Sequence, residues 1–235
     1  WGADALGGVV AVTTLDPEDI LEGRDSGGTA RLSYDGLNSE TGVSAAFAKR
    51  FGPDLAVMMG ISRTMGHEAK LSKARDDGGL YGCPRFVSYG ASTCGELDPT
   101  DAAADRLLAK AVWTPSDEHR LEVSLDMVNR LTDVQLNYGL GPVLSSVTGN
   151  PTGEILHAFD RHLDMKRRRF AVEHTWTPDL AWVDEVKTTL AYAPGGYERW
   201  GNRYSTLANG NRQVRRDHLD FSENFLELDV QATSR

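Results

Sequence analysis

The sequence predicts an all-β fold, an antiparallel up-and-down sheet of the kind that walls a membrane barrel. Three observations carry this. Period-two alternation of apolar and polar residues recurs along nearly the whole chain, while apolar spacing at three and four residues is scarce outside 101 to 113. The alternating runs reach about ten residues or more, longer than the usual five or six of soluble sheets. Tight turns alternate with long polar connections, as they do when one rim of a barrel faces the periplasm and the other the exterior.

Strands are expected at roughly 29 to 36, 42 to 51, 55 to 66, 105 to 114, 119 to 130, 165 to 177, 184 to 193 and 219 to 233. In the second, Val43, Ala45, Phe47 and Phe51 share one face and Ser44, Ala46, Ala48 and Arg50 the other, with Lys49 interrupting the apolar side. In the fifth, Leu121, Val123, Leu125 and Met127 oppose Glu122, Ser124 and Asp126. The sixth sets Phe170, Val172 and Trp176 against Arg169, Ala171, Glu173 and Thr175; the seventh sets Val186, Leu190 and Tyr192 against Lys187, Thr189 and Ala191. The eighth repeats the pattern with Leu226, Leu228 and Val230 against Glu227, Asp229 and Gln231. Ten residues at about 3.3 Å each, tilted near 45°, rise roughly 23 Å, close to the apolar height of an outer-membrane barrel.

Gly52-Pro53-Asp54, Pro115-Ser116-Asp117-Glu118 and Pro178-Asp179-Leu180 read as tight turns, whereas 67 to 104, 138 to 162 and 194 to 218 read as long, Gly-rich loops. The connection around Asn38-Ser39-Glu40-Thr41 is the brief exception on the loop side. Trp113 and Trp176 each stand two residues before a turn proline, Phe51 precedes Gly52-Pro53, and Trp182 follows the third turn. Aromatic rings at strand ends along one rim form an interfacial girdle, with the indole N–H in the wet layer. The competing reading is a soluble β-sandwich with these tryptophans in its core, which requires neither strands of this length nor Trp beside the turns.

Composition narrows the function. The 235 residues carry 25 Lys plus Arg against 34 Asp plus Glu, a net charge of −9, which argues against a nucleic-acid-coating protein. No run reaches the roughly 18 uninterrupted apolar residues of a membrane-spanning helix. Nothing resembles a nucleophile elbow, a phosphate-binding loop or a paired metal motif, so no enzyme is expected. The chain opens at Trp1 without a Met or a secretion signal and still alternates at Leu226 to Thr233, so both ends read as cuts through a longer protein.

The string Gly2-Ala3-Asp4-Ala5-Leu6-Gly7-Gly8-Val9-Val10-Ala11-Val12 resembles the end of the plug domain of TonB-dependent outer-membrane receptors, which leads directly into the first barrel strand. Trp113-Thr114-Pro115-Ser116-Asp117 with His119-Arg120-Leu121, and Arg169 to Trp176 running on to Trp182-Val183-Asp184, resemble the haem, haemoglobin and transferrin branch of that family. The resemblance implies a receptor in the outer membrane of a Gram-negative bacterium. Its barrel would have about 22 strands closed around a plug and would import a scarce nutrient with energy from a TonB complex. Residues 1–26 would be the end of the plug and a linker, and 27–235 about eight strands of the barrel. Partners would be the TonB complex, through a region outside this chain, outer-membrane lipid, and haem or a haem-carrying protein. No intrinsic cofactor is implied, haem being cargo. The His-bearing loop motif of haem receptors has no match here, so a siderophore or other metal-chelate receptor stays open, as does a passive porin-like or adhesive barrel.

Candidate ligand residues are His67, His157, His162 and Tyr81, all in or beside long loops, where imidazole is a common axial donor to haem iron; the alternative is solvated loop side chains. His119 and His174 fall at the turn rim or in the outward phase, and His218 is undecided. Tyr89, Tyr138, Tyr197, Trp200 and Tyr204 add loop aromatics suited to a protein or porphyrin. Cys83 and Cys94 in the first long loop suit a disulfide worth about 3 kcal/mol, against a metal pair with no partnered His nearby. The run Lys166-Arg167-Arg168-Arg169 would send alternate members to the lumen and to lipid headgroups, or else form an anionic-ligand patch.

Overall fold

The computed structural model describes residues 14–69, 98–137, 140–180 and 182–234. They form one antiparallel sheet preceded by a single-turn helix. The helix α1 is Pro17–Leu21; the strands are β1 (Ser26–Asp35), β2 (Glu40–Phe51), β3 (Leu55–His67), β4 (Thr100–Ser116), β5 (His119–Gln135), β6 (Gly141–Leu144), β7 (Pro151–Trp176), β8 (Glu185–Thr206) and β9 (Arg212–Thr233). The order across the sheet is β1-β2-β3-β4-β5-β7-β8-β9, each strand pairing with the next in sequence, while the short β6 folds back onto the start of β7. Among the described residues β1 and β9 are the two outer strands of an open sheet. No described helix is long and apolar enough to cross a membrane, which says nothing about crossing by strands.

All eight expected strands are present, and 101 to 113 is strand rather than helix. The turn rim is also as expected: Phe51 pairs with Leu55 across Gly52-Pro53-Asp54, with Gly52 at φ +74°, and Ser116 pairs with His119 across Asp117-Glu118. The expectation of long loops at 138 to 162 and 194 to 218 is corrected. Arg199 to Thr206 pair residue by residue with Arg212 to Leu219, leaving only 207–211 as the connection, and β7 already begins at Pro151. Gly195, Gly196 and Pro194 suggested a break there; Pro194 does interrupt the β7–β8 pairing between Phe170–Tyr192 and Arg167–Gly195, but the same register resumes beyond it and the β8–β9 pairing runs through. His157 and His162, expected in loops, are therefore strand residues of β7, and Tyr197, Trp200 and Tyr204 belong to β8.

Helix α1 was not anticipated. Asp16-Pro17-Glu18-Asp19 is a helix-start string, with Pro at the first helical position and the Asp19 carboxylate accepting the Asp16 N–H at 2.8 Å. The helix stops after one turn because Glu22 turns left-handed at φ 49°. Its Ile20 and Leu21 pack on Ala48, Ala56 and Met58, with Ala46 and Leu108 beside them, forming the buried apolar cluster of the described chain. Gly27 of β1 permits this approach: a Cβ there would lie 2.5 Å from the Ile20 carbonyl oxygen.

Candidate functional site

Directly paired residues of an antiparallel sheet point to the same side, so the register sorts the sheet into two faces. Phe47, Met59, Ala109, Leu125, Phe170, Tyr192 and Leu226 are successive partners along one row crossing seven strands. The adjacent row runs Lys49, Val57, Ala111, Val123, Val172, Leu190 and Leu228. These side chains are not packed into a core: Phe47 is 55% exposed, Phe170 48% and Leu190 50%. On β2 the apolar face extends from Val43 to Phe51, roughly 27–30 Å of strand at about 3.3 Å per residue. Lys49, the one charge within it, lays its Nζ 5.0 Å from the centre of the Phe51 ring, toward the turn rim.

The turn-side border of this face is aromatic. Phe51 and Trp113 are half exposed there, and Trp182, in the connection after β7, is 70% exposed. His119 Nδ1 stands 3.1 Å from His174 Nε2, and the His119 ring stacks against both His174 and Trp176. The opposite border is ionic: Arg63 faces Asp105 at 3.5 Å and Lys166 reaches Asp164 at 2.7 Å. The Lys166 to Arg169 run splits by register, Lys166 and Arg168 on this side, Arg167 and Arg169 on the other.

Past the ionic border the same face carries one more row, His67, Asp101, Asp133, His162, Trp200 and His218, again successive partners. His67 pairs with Asp101, His162 Nδ1 lies 2.6 Å from Asp133 Oδ1, and Trp200 stacks on His218 with ring centres 5.3 Å apart. Two of the candidate ligand residues, His67 and His162, are thus brought onto one row, each held by a carboxylate. His157 is apart from them, its Nε2 2.8 Å from the Thr206 hydroxyl. Tyr81, Cys83 and Cys94 lie outside the described residues, as does the plug-like string Gly2 to Val12. No group of three or more metal-ligating side chains occurs among the described residues.

The second face is polar, and α1 sits on it. Asp16 accepts from Lys110 Nζ at 2.5 Å and from Arg120 at 2.7 Å; Glu122 lies 2.8 Å from Lys110 and 3.1 Å from Arg120. Arg50 reaches Glu18 at 2.6 Å. Lys110, with a side chain only 3% exposed, is enclosed between two carboxylates and makes this the tightest ionic contact between the leading segment and the sheet.

No family model matches the sequence, and no curated protein matches it. Among solved structures the chain is similar to one described as the RagAB peptide importer in the closed-closed state, at 11% identity and a TM-score of 0.46, over 86% of this chain. The match spans 27% of that importer chain.

Sequence reasoning missed three features of the site. The ionic square of Asp16, Lys110, Arg120 and Glu122 joins positions about a hundred apart, and only strand register brings them together. The His119–His174–Trp176 stack arises the same way across β5 and β7. The row of His67, His162 and His218 was readable in principle, since all share the phase of the apolar residues on their own strands.

Proposed function

We propose that this chain is part of the wall of an outer-membrane transport barrel, its apolar face against lipid and its polar face toward a hydrated lumen. One observation carries the reading: an apolar surface continuous across seven strands and open to its surroundings, backed by a charged face that holds the segment leading into the sheet. At a tilt of about 45° the apolar face rises about 20 Å, near the roughly 25 Å apolar height of such barrels. Phe51, Trp113, Trp176 and Trp182 then sit at headgroup depth on the turn rim, and Lys166 and Arg168 at the other headgroup layer.

The finer reading is active, TonB-dependent import, supported by the plug-like string Gly2 to Val12 and by the docking of α1 on the lumenal side. Haem or a haem-carrying protein as cargo is supported by the strand strings that resemble haem receptors. A metal-chelate cargo is the alternative: His67, His119, His162, His174 and His218 share the face of the apolar rows, and His157 stands apart from them at the irregularity between Leu156 and Ala158.

The decisive experiment places single bimane-labelled cysteines in the intact membrane protein with Cys83 and Cys94 replaced by Ser. Labels at Phe47→Cys, Phe170→Cys and Leu190→Cys are quenched by acyl-chain nitroxides, and labels at Ser62→Cys and Thr64→Cys by aqueous iodide. The reverse pattern overturns the proposal. Haem titration of the same protein, with ferric siderophores in comparison, separates the cargo readings by the presence or absence of a Soret shift.

A further inference from the structure

The polar face of β7, β8 and β9, above the level of the apolar band, holds four arginines and one carboxylate in a small area. Arg203 stands directly opposite Arg215, a like-charge cross-strand pair that costs stability wherever nothing negative lies between its members. Arg161 pairs with Gly201, between Arg199 and Arg203 on β8, and Gly201 pairs onward with Asp217. Asp217 is the single acid of the group and is committed to Arg199 at 3.3 Å. It reaches across because position 201 is glycine: a Cβ there would meet Asp217 Oδ1 at 2.3 Å.

Two of these guanidinium groups are held in place by an apolar ring rather than by anions. Arg161 and Arg203 lie 4.7 and 4.5 Å from the centre of the Phe159 ring, which is buried at the start of β7. Neither has an ion pair or a side-chain hydrogen bond among the described residues, nor does Arg215. The group therefore carries an uncompensated charge of about three positive units in a chain of net charge −9. Ordinary wetting of a lumen calls for none of this. Arginines fixed by stacking present planar forks to whatever carboxylate or phosphate arrives, at little further entropy cost.

We propose that Arg161, Arg203 and Arg215, with Arg199 poised by Asp217, form a binding site for a ligand bearing two or more carboxylate or phosphate groups. This deepens the transport reading and rests on it, since it takes the polar face as the lumen. The ligand's anions replace the missing partners of Arg203 and Arg215 and relieve their mutual repulsion, so a multiply charged ligand gains more than a singly charged one.

The test is calorimetric titration of the intact membrane protein in detergent with pyrophosphate, with tricarballylate and with methyl phosphate. Pyrophosphate, tricarballylate or both bind, and methyl phosphate binds about tenfold or more weakly; which multivalent anion binds tighter tells phosphate from carboxylate cargo. Arg203→Gln weakens binding about tenfold or more, and affinity falls as salt rises. Arg168→Gln, on the opposite face, leaves affinity unchanged. Arg215→Gln reads the same site independently should Arg203→Gln fail to fold, which heat-modifiable gel mobility reports. Absence of binding by both multivalent anions overturns the proposal, as does equal weakening by Arg168→Gln. The nitroxide quenching of Phe170→Cys is independent of these titrations, so loss of the anion site and loss of the barrel reading are told apart.

Discussion

Lys110 shows how much a single side chain on the polar face is asked to do. Enclosed between Asp16 and Glu122, it ties the leading segment to β4 and β5 at once. Removing one member of a buried ionic group leaves the others uncompensated, so Lys110→Met lowers unfolding stability in lipid by about 3 kcal/mol. The double variant Lys110→Met with Glu122→Gln recovers much of that loss, and urea titration of both checks it. Neighbouring positions 124 and 125 separate the two faces just as sharply. Leu125→Arg puts a charge into the apolar row and costs about 2–4 kcal/mol of folding free energy in vesicles, whereas Ser124→Arg costs within about 1 kcal/mol. Equal costs at the two positions would contradict the assignment of faces. The identity of each face was legible from alternation alone, because a period of two needs no knowledge of the partner strand. The ionic square was not, because Asp16 and Arg120 meet only after four strands have been laid between them.

At the scale of elements, strand centres were legible and strand ends were not. Phe170 to Trp176 alternates cleanly, but Gly195-Gly196 and the run Arg212 to Asp217, with Val214 its one apolar residue, give no alternating signal, so the paired extension of β8 and β9 reads as loop. The extension has its own function in the anion-site proposal. Deleting 203–206 and 212–215 together keeps Asn202 opposite Arg216 and retains the connection 207–211. The shortened protein inserts normally, as heat-modifiable mobility shows, and loses pyrophosphate and tricarballylate binding at least about tenfold. Helix α1 offers a second test. Gly27→Val drives a side chain into the Ile20 carbonyl, displaces the helix at a cost of about 1–3 kcal/mol, and speeds tryptic cleavage at Arg24 several-fold. Unchanged cleavage would mean that α1 does not need its seat beside β1.

Taken whole, the described sheet is a curtain with two unpaired edges and one greasy side. Open edges and exposed apolar rows both drive association in water, and unpaired backbone groups are costly in lipid. The chain expressed alone therefore requires detergent and elutes as heterogeneous aggregates without it; a sharp, monodisperse monomer in plain buffer, by size exclusion with light scattering, would refute the membrane reading. The strands also grow across the sheet, from ten residues in β1 to twenty-six in β7 and twenty-two in β8 and β9. At about 3.3 Å per residue, β8 outreaches β1 by roughly 40 Å of backbone. The rim is consequently a slope rather than a level parapet, and in the proposed barrel a solute drifting in from outside meets the tall flank, where the arginines stand, well before it meets the low one.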